Sequence, residues 1–312
     1  MSESILNLLP VKEEEKREFE AIAPQAVHVY AGRRTVTPEQ IAQATIIFGW
    51  IRAKDLKEAV RLKWFQTMWA GTDEYEGEGI LPPGVILTSS SGSNSQSVAE
   101  HMLASLLALC RRLPTYRDSQ RQHLWKDEGK MKTISGGTVL VVGAGHLGSA
   151  FASRCRALGA KTVGLKRTVR GPVEGFDQVY PMDQLDELLP QADVVALVLP
   201  HNPQTIGLMD GRRLGLMKED AILISSGRGS VLDQDALAWV MGEGKLWGAA
   251  LDVTTPEPLP ADSPLWDIPN LLLTPHVAGG MRLEITRKNC IKMAQDNLRR
   301  YLAGEPLVNR VR

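Results

Sequence analysis

The chain of 312 residues predicts an α/β protein built from two doubly wound parallel-sheet domains. Three observations carry that reading. Short apolar segments alternate with polar, helix-forming ones along most of the length, the rhythm of strand-helix-strand units. A glycine fingerprint, Gly143, Gly145 and Gly148, directly follows the strongest predicted strand, Thr138–Val142. Residues with candidate chemistry, Arg228, Glu257 and His276, then fall at the ends of later strands, the edge at which doubly wound sheets bind ligands.

Taken in order, strands are expected at Ile5–Leu9, Val27–Tyr30, Thr45–Phe48, Trp64–Met68 and Val85–Thr88, forming a small parallel α/β unit. The run from Val98 to Arg112 has apolar residues on nearly every face, as expected of a helix buried between two domains. Thr138–Val142 opens a second α/β series, with strands near Thr162 and at Val194–Leu199, Ala221–Ser225, Gly248–Val253 and Leu271–Leu273. An amphipathic helix from about Leu283 to Tyr301 closes the chain. There are no repeats or low-complexity tracts.

Composition narrows the function. Apolar residues make up 43%, enough for packed cores, and 36 basic residues balance 36 acidic ones. With zero formal charge there is no global field to draw in nucleic acid or an anionic membrane, so neither is expected as a partner. No basic n-region precedes an apolar stretch at the start, and no run approaches the roughly 20 apolar residues of a membrane span, which predicts a cytoplasmic protein. Cys110, Cys155 and Cys290 lie singly in predicted helices without metal-ligand spacing; core thiols are expected, and no metal site.

In the phosphate loop Val141–Ala150, the first glycine makes the strand-to-helix turn, the second lets backbone approach a pyrophosphate, and the third packs helix on strand. The helix N-terminus then faces the anion. His146 and Leu147 lie between the second and third glycines; His146 reads equally as a pyrophosphate contact or as an exposed residue of the first helical turn. At the end of the next strand an NAD-binding loop would carry a carboxylate for the ribose 2′-hydroxyl. Here Lys166, Arg167, Thr168 and Arg170 stand there instead, favouring NADP(H) by charge-pairing with a 2′-phosphate, with NAD(H) as the alternative.

The remaining chemistry comes from three strand ends. Arg228, between Gly227 and Gly229, presents a fork of donors suited to a carboxylate, and the glycines are expected to let backbone pass close to a ligand. His276 follows Thr274 and Pro275 at the last strand end, with Glu257 as its natural partner, because a carboxylate bonded to an imidazole fixes the tautomer and keeps a proton available. Each alone has a bland reading; jointly they fit carbonyl reduction.

These residues, with Val98-Ala99-Glu100-His101, Leu199-Pro200-His201-Asn202-Pro203, Leu251-Asp252-Val253 and Thr274-Pro275-His276, give the chain a resemblance over nearly its whole length to the D-isomer-specific 2-hydroxyacid dehydrogenases, and most to the glyoxylate/hydroxypyruvate reductases. The resemblance implies a Rossmann nucleotide domain at 97–282, inserted into a discontinuous flavodoxin-like substrate domain at 1–96 and 283–312. A homodimer through the nucleotide domains is also implied. Carried onto this sequence, it makes His276 the general acid, Glu257 its orienting partner, and Arg228 the binder of the substrate's carboxylate and keto oxygen. Backbone N–H groups of Trp69, Ala70 and Gly71 match the loop that holds the carboxylate. Asp252 matches the residue holding the nicotinamide carboxamide; Ser226 and Gly227 line the nicotinamide pocket, and Pro200 and Thr205 the adenosine side. Lys166 and Arg167 depart from the acidic pattern of many members.

The implied reaction is reduction of glyoxylate or hydroxypyruvate to the D-2-hydroxyacid. A larger 2-oxoacid is one alternative reading, and a non-catalytic dinucleotide-sensing protein resembling a corepressor is another. Trp64, Met68, Trp69, Trp125 and Met281 are candidates for shaping the pocket, although such residues near strand ends more often belong to the core.

Overall fold

The computed structural model describes residues 2–312. The chain divides into two compact units, one formed by the residues up to Asn94 together with Met281–Arg312, the other by Ser95–Gly280. The first carries β1 (Ser4–Asn7), α1 (Glu13–Ile22), β2 (Val27–Tyr30), α2 (Pro38–Gln43), β3 (Ile46–Gly49), β4 (Trp64–Thr67) and β5 (Ile86–Thr88). The second carries α3 (Ser95–Cys110), α4 (Leu113–Arg121), β6 (Thr138–Val142), α5 (His146–Ala157), β7 (Lys161–Lys166), β8 (Gln178–Pro181), α6 (Leu185–Leu188), β9 (Val194–Leu197), α7 (Gly211–Leu216), β10 (Ile222–Ser225), α8 (Gln234–Gly242), β11 (Gly248–Leu251) and β12 (Leu271–Leu273). The long α9 (Glu284–Ala303) returns to the first unit.

Each unit is organised by one sheet whose named strands all run parallel. The first has five strands in the order β2-β1-β3-β4-β5, the second seven in the order β12-β11-β10-β9-β6-β7-β8. Central strands of parallel sheets are covered on both faces and read as unbroken apolar runs. This is why Ile46–Gly49, Val194–Leu197 and Ile222–Ser225 are buried at every position. Burying one such Val, Leu or Ile side chain contributes about 1.5–3 kcal/mol.

In the first unit Phe19, Phe48 and Trp64 pack under Cys290, Ile291, Ala294 and Leu298 of α9. Trp64, a pocket candidate by sequence, is a core residue: it is fully buried, lies over Tyr301, meets Phe48 edge-on, and donates to the Thr88 hydroxyl at 2.9 Å. The end of the chain also pairs with β5 through an antiparallel bridge from Thr88 to Arg310.

In the second unit α3 packs on α5, β10 and β11. Its burial is one-sided, because Ala104 and Leu107 are exposed while Ala99, Met102 and Leu106 are buried. Strand β8 was not among the expected strands. Cys110, Cys155 and Cys290 are buried free thiols. Among the described residues no helix is long and apolar enough to cross a membrane, and no group of three or more His, Cys, Asp or Glu gathers as metal ligands.

Candidate active site

Because all seven strands of the larger sheet run the same way, their carboxyl ends form one edge, and the register aligns them. Val142 pairs with Leu165 and Leu197, Ser225 with Leu197 and Leu251, and Leu251 with Leu273. The glycine loop, the basic turn, Pro200, Arg228, Asp252 and His276 therefore all leave the sheet on the same side.

The glycine loop fits a dinucleotide. Gly143 and Ala144 donate to the Leu165 carbonyl at 3.1 and 2.8 Å, which ties the loop to the end of β7. A Cβ on Gly148 would stand 2.1 Å from the Gly143 carbonyl oxygen, so the third glycine is required for helix to close on strand. Space beside Gly145 is open, so a ligand can come close to the chain there. Helix α5, 12 residues long, begins at His146, and its first N–H groups have no intrahelical acceptor, a combination that suits phosphate. His146 is exposed, and Leu147 packs partly against the core under the sheet. Lys166, Arg167, Thr168 and Arg170 are all exposed at the end of β7, with no carboxylate among them. Pro200 is exposed, whereas Thr205 is buried and donates to the Pro200 carbonyl at 2.6 Å; its hydroxyl pins the 200–205 loop.

Gly227 and Gly229 are both crowded by neighbouring backbone. Added Cβ atoms would lie 2.5 Å from the Leu199 carbonyl oxygen and 2.2 Å from Thr254 backbone. The Gly-Arg-Gly turn is thus pressed against the loops after β9 on one side and β11 on the other. Arg228, half-buried, has extended backbone and donates to the Gly227 carbonyl at 3.1 Å.

Nineteen residues apart in sequence, Glu257 and His276 are brought together: Oε2 of Glu257 lies 2.9 Å from Nδ1 of His276. Oε1 of the same carboxylate accepts the Thr254 N–H at 3.1 Å, so the side chain is fixed at both oxygens. An ionised carboxylate only accepts, which assigns the hydrogen to Nδ1 and leaves Nε2 as the exchanging nitrogen. His276 is half exposed, and its backbone lies in the left-handed region at φ +50°, a conformation that costs a non-glycine residue about 1–3 kcal/mol.

Buried Asp252 supports that turn. Its Oδ1 accepts from the Thr274 hydroxyl at 2.6 Å and the Val277 N–H at 3.0 Å, its Oδ2 from the Ala278 N–H at 3.1 Å, and its backbone carbonyl from the His276 N–H at 2.9 Å. This network was missed by sequence reasoning, as was the His101 ring that joins it at Thr274 with Nε2 3.1 Å from the hydroxyl. Nothing in local spacing links His101 to residues 173 positions away. His201, quoted only as part of a motif, pairs through Nδ1 with the Ser230 hydroxyl at 2.7 Å. In the smaller unit, Trp69, Ala70 and Gly71 form the part-buried turn after β4, with the Trp69 carbonyl accepting from Ser90 N–H at 2.9 Å. Met68 and Met281 are also half-buried, while Trp125 in the larger unit is fully exposed.

Comparison with known proteins finds a family model, D-isomer specific 2-hydroxyacid dehydrogenase, NAD binding domain, matching residues 103–278. The D-3-phosphoglycerate dehydrogenase of Mycobacterium tuberculosis is 35% identical over 82% of this chain, which spans 48% of that relative's length. The glyoxylate/hydroxypyruvate reductase B of Pectobacterium carotovorum is 34% identical over 80% of this chain and 79% of its own. A crystal structure of a D-isomer specific 2-hydroxyacid dehydrogenase from Xanthobacter autotrophicus, in complex with NADPH and MES, superposes with a TM-score of 0.83 at 30% identity, covering 100% of this chain and 98% of that one.

Proposed function

The chain belongs to the D-isomer specific 2-hydroxyacid dehydrogenase family, and from that premise we propose that it reduces a small 2-oxoacid of the glyoxylate or hydroxypyruvate type to the D-2-hydroxyacid, with NADP(H) preferred. The observation that carries the reading is the Glu257-His276 pair, 2.9 Å apart on the sheet edge that also bears Arg228 and the glycine loop.

The glycine loop and the start of α5 would hold a reduced nicotinamide dinucleotide, whose chemistry would be hydride donation to the carbonyl carbon. Arg228 grips the substrate's carboxylate and polarises the keto oxygen. His276, protonated, gives its Nε2 hydrogen to the keto oxygen as negative charge grows there. Glu257, bonded to Nδ1, keeps the ring in place and its Nε2 turned outward. Asp252, Ser226 and Gly227 stand at the nicotinamide end of the cofactor site, and Pro200 and Thr205 at the adenosine end.

The basic turn supports the cofactor preference: Lys166 and Arg167 stand where a carboxylate would repel a 2′-phosphate. The NADPH held by the Xanthobacter relative agrees with it. Larger substrates are the second reading, favoured by the identity to D-3-phosphoglycerate dehydrogenases. Exposed Leu107, Leu113, Leu124 and Trp125 support a homodimer through this unit, which sedimentation at the monomer mass would refute.

Initial rates of NADPH and NADH consumption over a panel of 2-oxoacids test the proposal. Expected are turnover of glyoxylate or hydroxypyruvate and an NADPH preference that the Lys166→Asp/Arg167→Ala double variant lowers roughly ten- to hundredfold, the worth of one or two charged hydrogen bonds. Absence of turnover with both cofactors across the panel would overturn the reductase reading in favour of a dinucleotide sensor.

A further inference from the structure

We propose that His101, on helix α3, is a positioning residue for His276, acting through Thr274 and Asp252; the inference rests on His276 being the proton donor of the reaction proposed above.

Thr274 has a single hydroxyl proton, and the 2.6 Å approach to Oδ1 of buried Asp252, which as a carboxylate only accepts, commits it there. The Thr274 oxygen is then an acceptor toward His101, so Nε2 of His101 carries the hydrogen across the 3.1 Å contact. The chain of donation runs one way: His101 Nε2–H to Thr274 Oγ1–H to Asp252 Oδ1. That ring nitrogen lies 3.8 Å from the same carboxylate oxygen. Protonation of His101 would leave the direction unchanged, since Nε2 donates in both of these states.

Asp252 in turn gathers the turn that presents His276. The N–H groups of three consecutive residues, His276, Val277 and Ala278, converge on its backbone carbonyl and two carboxylate oxygens. Those bonds hold His276 at φ +50°, outside the region a histidine prefers. A left-handed residue persists only where its surroundings over-determine it. With the His101 ring removed, the Thr274 oxygen loses its donor, and its own bond to Asp252 loses the polarisation that a chained donor lends it. The carboxylate is then freer to turn, and the Val277 and Ala278 N–H groups lose their anchor beside His276. His101 also lines, with Ser105, Ile224, Asp252, Leu272 and Thr274, a small and mostly apolar cavity behind these strand ends.

The test compares His101→Ala with His101→Gln, whose amide N–H can take the place of Nε2–H, and reads both steady-state kinetics and amide hydrogen exchange of the segment 274–280. Expected for His101→Ala are a ten- to hundredfold loss of kcat, the scale of an ångström-sized misplacement of a reacting group, with KM for the 2-oxoacid within about twofold. Exchange at Val277 and Ala278 should quicken at least tenfold. His101→Gln should recover most of both losses. Unchanged kcat and protection in His101→Ala, or equal losses in the two variants, would overturn the inference. The exchange measurement decides the positioning role without turnover, so inactivity of the wild-type protein on every 2-oxoacid would count against the proposed reaction alone.

Discussion

The two units spend their buried polar groups in opposite ways. In the smaller one they close the structure on itself: Arg287, 6% exposed, donates to both oxygens of Glu284, to Glu15 at 2.7 Å and to the Pro10 carbonyl. Asn297, fully buried, bonds Gln66 and both backbone groups of Val308. In the larger unit buried Asp252 holds up a turn whose outermost residue, His276, is half exposed with Nε2 available. One cluster ties elements of the fold to one another; the other holds up a turn that presents a half-exposed side chain.

That contrast is open to attack by substitution. The largest effect is expected at the aimed residue: His276→Ala should lower kcat/KM roughly 10²- to 10⁴-fold, the usual worth of a general acid, with the melting temperature nearly unchanged. Equal losses of activity and stability would mean that His276 belongs to the closed kind of cluster. The reverse pattern is expected at Arg287→Ala, which strands Glu15 without its cation. Denaturant unfolding should register a loss of about 3–5 kcal/mol while the kinetics of the folded fraction hold.

Next come the glycines. Gly148→Ala drives a methyl group into the Gly143 carbonyl and should cost both stability and cofactor affinity, whereas Gly145→Ala, with open space around it, should weaken cofactor binding alone. Calorimetric titration with NADPH beside thermal melts separates the two. The smallest effect is an acid limb. Hydrogen bonds from Arg287 and Lys12 hold the Glu284 carboxyl down at about 2. Burial pushes Glu15 up, but bonds from Arg287 and the Lys12 amide more than offset it and leave it below its ordinary value. Both are acids depressed by folding, so their contribution is present above the unfolded value of 4.5 and is lost as pH falls toward 2. Unfolding midpoints measured over that range should fall more gently in Glu284→Gln than in the parent.

Much of this was legible in the sequence because parallel strands announce themselves as apolar runs. Thr138–Val142 and Leu271–Leu273 coincide with the observed strands, and most others agree to within one or two residues. Strand β8 escaped because it lies at a sheet edge, half exposed, with only Val179 and Tyr180 to give an apolar signal. Helix α3 was read as buried all round from its composition, which cannot distinguish a core face from an exposed apolar one. The pairing of Glu257 with His276 was legible because each follows a predicted strand, and parallel strands put such ends on one edge. The crowding around Gly227 and Gly229 was not, since it depends on how near neighbouring backbones run. His101 was invisible as a partner because helix-to-turn contacts follow from packing, which no local spacing encodes.

The common direction of the seven strands gives the larger sheet a carboxyl-end rim and an amino-end rim. On the amino-end rim, just before β10, exposed Glu219 sits beside the turn at Asp220, whose carboxylate is occupied with Lys130. A dye, an affinity handle or a surface tether placed at Glu219 would be carried on the scaffold of the sheet, with the length of the strands between it and His276. The geometry thus offers an attachment point for watching or immobilising the protein.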